Sequence, residues 1–116
     1  MNTLGVRELY FLLETEGAIV AYQEKEQSWA GALAFSSEQR ARDFLQASHL
    51  EVGEIVSLDT QDEPNLRALI ATLKRRPIRY LLLDLDYQTG TCRQVEFDGD
   101  GLGAARDRQF VAVHTH

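Results

Sequence analysis

The chain has 116 residues, 44% of them hydrophobic, with a formal net charge of −6 and a pI near 5.0. That is chain enough for one domain with its own core, and the acidic balance disfavours a nucleic-acid partner, whose phosphates need a basic surface. The single cysteine, Cys92, excludes an intrachain disulfide framework and a multi-cysteine zinc site, which fits a reducing compartment.

Glu8 to Glu14 is rich in aromatic and branched residues and is followed by Glu16-Gly17. This predicts a first strand and a turn, with Ala18 to Tyr22 returning beside it as a hairpin. The apolar run Leu9 to Leu13 is short and flanked by Glu8 and Glu14, unlike the core of a signal peptide. No stretch approaches the roughly 20 apolar residues of a membrane span, so a cytoplasmic protein without membrane association is expected. Gln23 to Gln27 reads as a polar connection. Trp29 to Phe35 predicts a third strand, with Trp29, Gly31, Leu33 and Phe35 on one face and Ala30, Ala32 and Ala34 on the other. The small face implies a close neighbour, either a packed helix or a second subunit.

Ser36 followed by Gln39 has the form of a capping box, and Ala41, Phe44, Leu45 and Ser48 continue as a helical stripe ending near His49. Gly53 to Leu58 predicts a short strand. Asp62 is placed to cap a second helix, and Pro64 is tolerated in its first turn, where the missing amide hydrogen had no partner. Leu66, Leu69, Ile70 and Leu73 fall at i, i+3, i+4 and i+7, and Pro77 should end the helix at Arg76.

Tyr80 to Tyr87, YLLLDLDY, reads as the central strand. Strict alternation sets Leu81, Leu83, Leu85 and Tyr87 on a core face, and Tyr80, Leu82, Asp84 and Asp86 on the other. Cys92 to Phe97 predicts its partner, joined through a three-residue loop Gln88-Thr89-Gly90 with Gly90 left-handed. That register sets Leu83 opposite Val95, Leu81 opposite Phe97, Asp84 opposite Gln94 and Asp86 opposite Cys92. Asp98 to Gly103 reads as a glycine-rich loop, Ala104 to Arg108 as a helical turn, and Phe110 to His114 as a closing strand. The expected architecture is a single globular domain over residues 1–116 of the α+β class. It is a two-layer sandwich with a largely antiparallel sheet of about 5–7 strands, and two main helices, from Ser37 and Glu63, on the one face that carries Leu83, Leu85 and Phe35.

Asp84 and Asp86 are the first chemical candidates, because paired carboxylates at a strand end can hold a metal ion or another ligand. Two solvent-facing carboxylates on a strand's wet face are the structural alternative. His114 and His116 share a face if the last strand continues, at a spacing that can contribute to a metal site. Asp98-Gly99-Asp100-Gly101 resembles the opening of a calcium loop, but Leu102 stands where an oxygen ligand is needed and Gln109 where the bidentate glutamate belongs, so a tight turn is the expectation. Arg67, Lys74, Arg75, Arg76 and Arg79 gather positive charge around the end of the second helix, either to complement its dipole or to receive an anion or an acidic partner. His49 is favourable at the end of the first helix for the same dipole reason, and Cys92 has no activating base nearby in sequence. No glycine-rich phosphate loop or nucleophile elbow is present, and no cofactor is expected.

Two resemblances bear on these residues. Leu82 to Thr91, an apolar strand ending in Asp-x-Asp, resembles the first motif of haloacid-dehalogenase-type phosphotransferases, which implies Asp84 as nucleophile and Asp86 as acid/base beside magnesium. Gln88 departs from it where a threonine belongs. Trp29, then Ala34-Phe35-Ser36-Ser37-Glu38, Phe44, a valine-containing strand, an amphipathic helix and YLLLDLD together resemble the N-terminal domain of SseB-like proteins over about residues 29–87. That resemblance implies a small bacterial α+β domain acting through protein interaction, and Asp84-Leu85-Asp86 replaces the family's usual Asn-Pro-Gly-like ending. The expected function is a non-enzymatic interaction module with a protein partner or itself as a homodimer, through a sheet edge or the alanine face around Ala32. The alternatives are a metal-dependent hydrolase or phosphotransferase using Asp84 and Asp86, and a sensor of anionic ligands using Arg75 and Arg76.

Overall fold

The chain lays out β1 (Glu8–Leu13), β2 (Ala21–Gln23), β3 (Ala30–Phe35), α1 (Glu38–Ser48), β4 (Glu54–Asp59), α2 (Glu63–Lys74), β5 (Ile78–Leu83), β6 (Thr91–Asp98) and β7 (Gly101–Gln109) in a computed structural model that describes residues 5–23 and 29–110. The fold is of the α+β class. Its 7-stranded sheet has the order β4-β1-β3-β5-β6-β7, with β2 also beside β3. The β3–β5 pair is parallel and every other pair is antiparallel.

The two helices do not share a face, as the alternation of YLLLDLDY had implied. Phe44 and Ala41 of α1 pack with Leu12, Leu33, Phe35, Leu82 and Leu85. Leu73 of α2 packs with Leu9, Phe11, Ala32, Ala34, Leu81 and Leu83 on the opposite side. The sheet is therefore a middle layer, and the two-layer arrangement is replaced by one helix on each face. The cause is the place of β4. It sits at the outer edge beyond β1, so the chain travels one way from β3 to β4 through α1 and the other way from β4 to β5 through α2. Crossovers of one hand that run in opposite directions must pass over opposite faces. Strands covered on both sides then need apolar residues at every position, as Ala32–Phe35 and Tyr80–Leu83 have.

The alanine face of β3 is thus covered by the chain's own helix. Ala32 and Ala34 are fully buried against the cluster around Leu73, which removes that face as a dimer surface. On the other side, a side chain at Gly31 would meet Tyr80 and Leu82 within 2.6–2.8 Å, so glycine is needed there for β5 to approach.

Other expectations are corrected by pairing that no local signal announces. The chain does turn back beside the end of β1, with Glu14 donating to the Ala18 carbonyl and Val20 to the Leu12 carbonyl, both at 2.8 Å, around the bridge Leu13↔Ile19; β2 itself, however, continues beyond β1 along β3, with Phe11↔Ala34 followed by Ala21↔Ala32. The helix cap is Ser37, which accepts from the Arg40 amide at 3.2 Å, rather than Ser36. The β5–β6 hairpin puts Leu81, not Leu83, opposite Val95, and Gln94 faces Leu82 rather than Asp84. β5 stops at Leu83 because Asp84 takes φ 56°, so Leu85 crosses to the other side of the sheet. Ala104 to Arg108 is not a helical turn; it belongs to β7, a mostly exposed strand whose hairpin with β6 turns at Gly99-Asp100. Gly99 has φ 61° and Asp100 is not in the positive-φ region, the pattern of a type II′ turn. α2 follows its sequence signals closely, with Asp62 accepting from the Asn65 amide and Arg75 as the C-terminal cap. No helix among the described residues is long and apolar enough to cross a membrane.

Candidate functional site

The parallel pair β3–β5 ends with both C-termini on one side of the sheet, where α1 begins and the β5–β6 connection starts. In open sheets with parallel strands, ligands bind outside such ends, at the point where the connections leave in opposite directions. Asp84 stands there. Its backbone amide donates to the Ala34 carbonyl at 2.8 Å, the last rung of the parallel ladder. Its carboxylate then accepts from Ser36 twice, from the amide to Oδ1 at 2.8 Å and from the hydroxyl to Oδ2 at 2.7 Å. The side chain thereby takes the place of the next ladder carbonyl while the backbone turns away at φ 56°, a conformation that aspartate tolerates better than most residues. The Arg40 guanidinium lies 3.9 Å from Oδ2, and the Asp84 side chain is 24% exposed.

Asp86 organises the loop that follows. Its Oδ1 accepts from the amides of Gln88 at 2.9 Å and Thr89 at 3.2 Å, closing an Asx-type turn. Its backbone carbonyl accepts from the Gly90 amide at 2.8 Å, and Gly90 has φ 76°. A side chain at Gly90 would stand 2.5 Å from the Phe110 carbonyl, so glycine is required both by conformation and by space.

Between this loop and α1 lies a cavity of about 250 Å³, lined by Arg40, Asp43 and Phe44 from the helix and by Asp84, Asp86 and Tyr87 from the loop. The Tyr87 ring meets the Phe44 ring edge-on at 5.8 Å. Asp84 and Asp86 are therefore brought together on one cavity, as the sequence reading required of an active site. Each is nevertheless held by hydrogen bonds from its own chain. Among the described residues, no three His, Cys, Asp or Glu side chains form a group able to hold a metal ion. His114 and His116 lie outside the described residues. Arg40, Asp43, Phe44 and Ala47 follow helical spacing on the cavity side of α1, a signal available in the sequence once the loop was known to face that helix.

The basic cluster is taken apart by the fold. Lys74 donates to the Gly99 carbonyl at 3.0 Å and pairs with Asp100 at 3.4 Å. Arg76 donates to the Ile19 carbonyl at 3.0 Å, and Arg75 reaches back to Ala71 of its own helix at 3.5 Å. Arg79 is displaced by a bulge opposite Ala30/Gly31 and lies over the Trp29 ring at 5.0 Å, while Arg67 lines a separate depression with Glu63, Asp98 and Asp100. Cys92 is buried, and His49 takes the left-handed cap position of α1, its amide donating to Leu45. The Gln61 amide holds Asp59 below the usual carboxylate range against the opposing effect of desolvation, with Arg7 assisting. The Tyr10 hydroxyl is raised by its hydrogen bond to Glu8, with burial adding to the effect.

Sequence reasoning missed a polar chain across β6 and β7. Arg108 donates to Gln94, and Gln94 donates to Glu96, with Gln94 only 3% exposed. The Arg108 guanidinium also lies 4.6 Å over the Phe110 ring. Arg108 and Gln94 meet only through the β6–β7 pairing, which the helical reading of Ala104 to Arg108 had excluded. Comparison with protein-family models, with curated proteins and with solved structures returns no match to this chain.

Proposed function

We propose that the protein is a non-enzymatic interaction domain that works by holding another protein. The observation that carries this reading is the engagement of Asp84. Both of its carboxylate oxygens accept from Ser36, where they extend the parallel ladder and fix the start of α1. Asp86 is used similarly, for the turn at Gln88-Thr89. The residues with the best claim to chemistry thus have a structural task, while among the described residues the sheet ends at the edge strands β4 and β7. The resemblance to SseB-like domains supports the same reading.

The test is recovery of a partner by crosslinking in cells, followed by binding between purified components. A saturable complex unaffected by replacing Asp84 and Asp86 with asparagine is the expected result. A protein that remains monomeric at high concentration and recovers no partner would overturn the reading. The rival, a metal-dependent hydrolase or phosphotransferase, draws support from the cavity beside Asp84 and Asp86 at the end of the parallel strands. It requires phosphatase activity that the double asparagine variant loses.

A further inference from the structure

The edge strand β4 has β1 as its one sheet neighbour among the described residues. The Thr60 amide donates to the Arg7 carbonyl at 2.8 Å, which sets the phase of the β1–β4 ladder. Backbone groups alternate in direction along an antiparallel strand, so those of Thr60, Leu58 and Val56 point toward β1 while those of Asp59, Ser57 and Ile55 point outward. The side chains are apolar on both faces of the sheet. Ile55 packs with the cluster under α1, and Val56 and Leu58 pack with the cluster under α2, each of them partly exposed. The connection entering β4 adds Leu50, 41% exposed and one of two large apolar side chains left in the open among the described residues. No lysine, proline or bulge blunts this edge against another strand.

The sequence of β4 matches itself. Across an antiparallel twofold, outward-pointing residues must bond one another, so each register centres on one residue. Centred on Ser57, the pairing sets Ser57 against its own copy, Val56 against Leu58 twice, Ile55 against Asp59 and Glu54 against Thr60. Val56 and Leu58 of both copies then form one apolar cluster on the α2 side. Asp59 arrives with the Arg7 guanidinium 3.4 Å from its carboxylate. Glu54 and Asp59 stand at opposite ends of the strand, so no register centred between them sets like charges directly opposite. The other edge differs: Arg106 and Asp107 are exposed on β7, and a register centred on either sets it against its own copy.

We propose, resting on the interaction-domain reading, that a second copy of this chain is one partner, and that the two copies join β4 to β4 across a twofold centred on Ser57. The two sheets then run on as one. Ser57 bonds its copy in both directions, and the Asp59 amide reaches the Ile55 carbonyl on either side of the axis.

The experiment uses the full chain. Sedimentation equilibrium should find a reversible dimer at micromolar concentrations. Ser57→Lys, at an exposed position, should weaken it about tenfold or more while circular dichroism stays native, because two cations would then face each other at the axis. Ser57→Cys gives an independent readout. Hydrogen-bonded residues directly opposite lie about 5.5 Å apart between Cα atoms, within disulfide reach, so mild oxidation should yield a covalent dimer. Arg106→Cys, on the other edge, should not. A protein still monomeric at about 1 mM, a dimer that Ser57→Lys leaves intact, or crosslinking through Arg106→Cys but not through Ser57→Cys would overturn the proposal. So would a different protein whose extended segment occupies β4 of a monomer. If a partner recovered from cells binds the monomer, the β4 pairing falls and the interaction reading survives. If neither a dimer nor a partner is found, both fall.

Discussion

Replacing Asp84 by alanine tests the account of the sheet's central junction. The change removes two hydrogen bonds to Ser36 and places a residue with a Cβ but no compensating polar group at φ 56°. A hydrogen bond to a charged acceptor contributes about 1.5–3 kcal/mol, and two that share one partly exposed carboxylate are worth about 2–3 kcal/mol together. The left-handed backbone adds about 1 kcal/mol. Asp84→Ala should therefore cost about 3–4 kcal/mol, a large fraction of a typical domain's stability. Asp84→Asn keeps one acceptor and the tolerance for positive φ, and should cost about 1 kcal/mol. Asp84→Gly relieves the backbone but not the lost bonds, and should fall between them. Urea unfolding followed by far-ultraviolet circular dichroism measures the series, with an unchanged m-value as the control. A double-mutant cycle with Ser36→Ala should show a coupling of about 1 kcal/mol. If Asp84→Ala costs less than about 1 kcal/mol, or the two changes add within about 0.5 kcal/mol, the junction does not depend on this carboxylate.

Gly90→Ala should destabilise by about 2 kcal/mol or more, since left-handed strain is joined by contact with the Phe110 backbone; a neutral result in the same assay would refute that packing. Leu73→Ala, at a fully buried position under β3 and β5, should cost about 2–5 kcal/mol and leave α1 in place by amide exchange. Asp59 should titrate by NMR below an ordinary aspartate. Because its folded pKa is depressed, its contribution to stability is present above about pH 4 and is lost as the pH falls through the folded value. Arg7→Ala should raise that pKa only in part, because the Gln61 amide is the larger cause. Thermal unfolding of chelator-treated protein with magnesium, manganese, calcium or zinc added singly should show no rise that depends on Asp84 and Asp86. A site at 100 times its dissociation constant would add about 2.7 kcal/mol, and a rise abolished by Asp84→Asn would establish a metal centre there.

The sequence discloses α2 almost completely, because Asp62, Pro64 and the stripe from Leu66 to Leu73 act within one element. It discloses β7 poorly: Ala104 to Arg108 has no apolar alternation, and only the backbone of β6 makes it a strand. The choice between Ser36 and Ser37 as helix cap is also non-local. Either serine suits the position by type, and Asp84, far along the chain, claims Ser36. The placing of Leu83 and Leu85 on different sides turns on one positive φ at Asp84, which a period of two cannot reveal. The opposite placing of the helices follows from chain handedness, but only once β4 is known to lie beyond β1.

The engagement of Asp84 also gives the two functional readings different dependence on Ser36. If catalysis required Asp84, which already lines the cavity, to release Ser36, bonds worth about 2–3 kcal/mol would break. At about 2.7 kcal/mol, the freed carboxylate is present in about one molecule in a hundred, and turnover falls by that fraction. Ser36→Ala removes the hydroxyl bond but keeps the amide bond, so an enzyme of this design would gain activity, by about tenfold if that bond holds half the energy. An interaction domain has no such gain available. For it, Ser36→Ala loosens the β3–α1 junction by about 1 kcal/mol and leaves partner affinity unchanged, because the Ser36 hydroxyl is engaged within the chain by Asp84. Measuring phosphatase turnover and partner affinity on this one variant separates the readings, because a rise in turnover fits only the enzyme and retained affinity with lowered stability fits only the interaction domain.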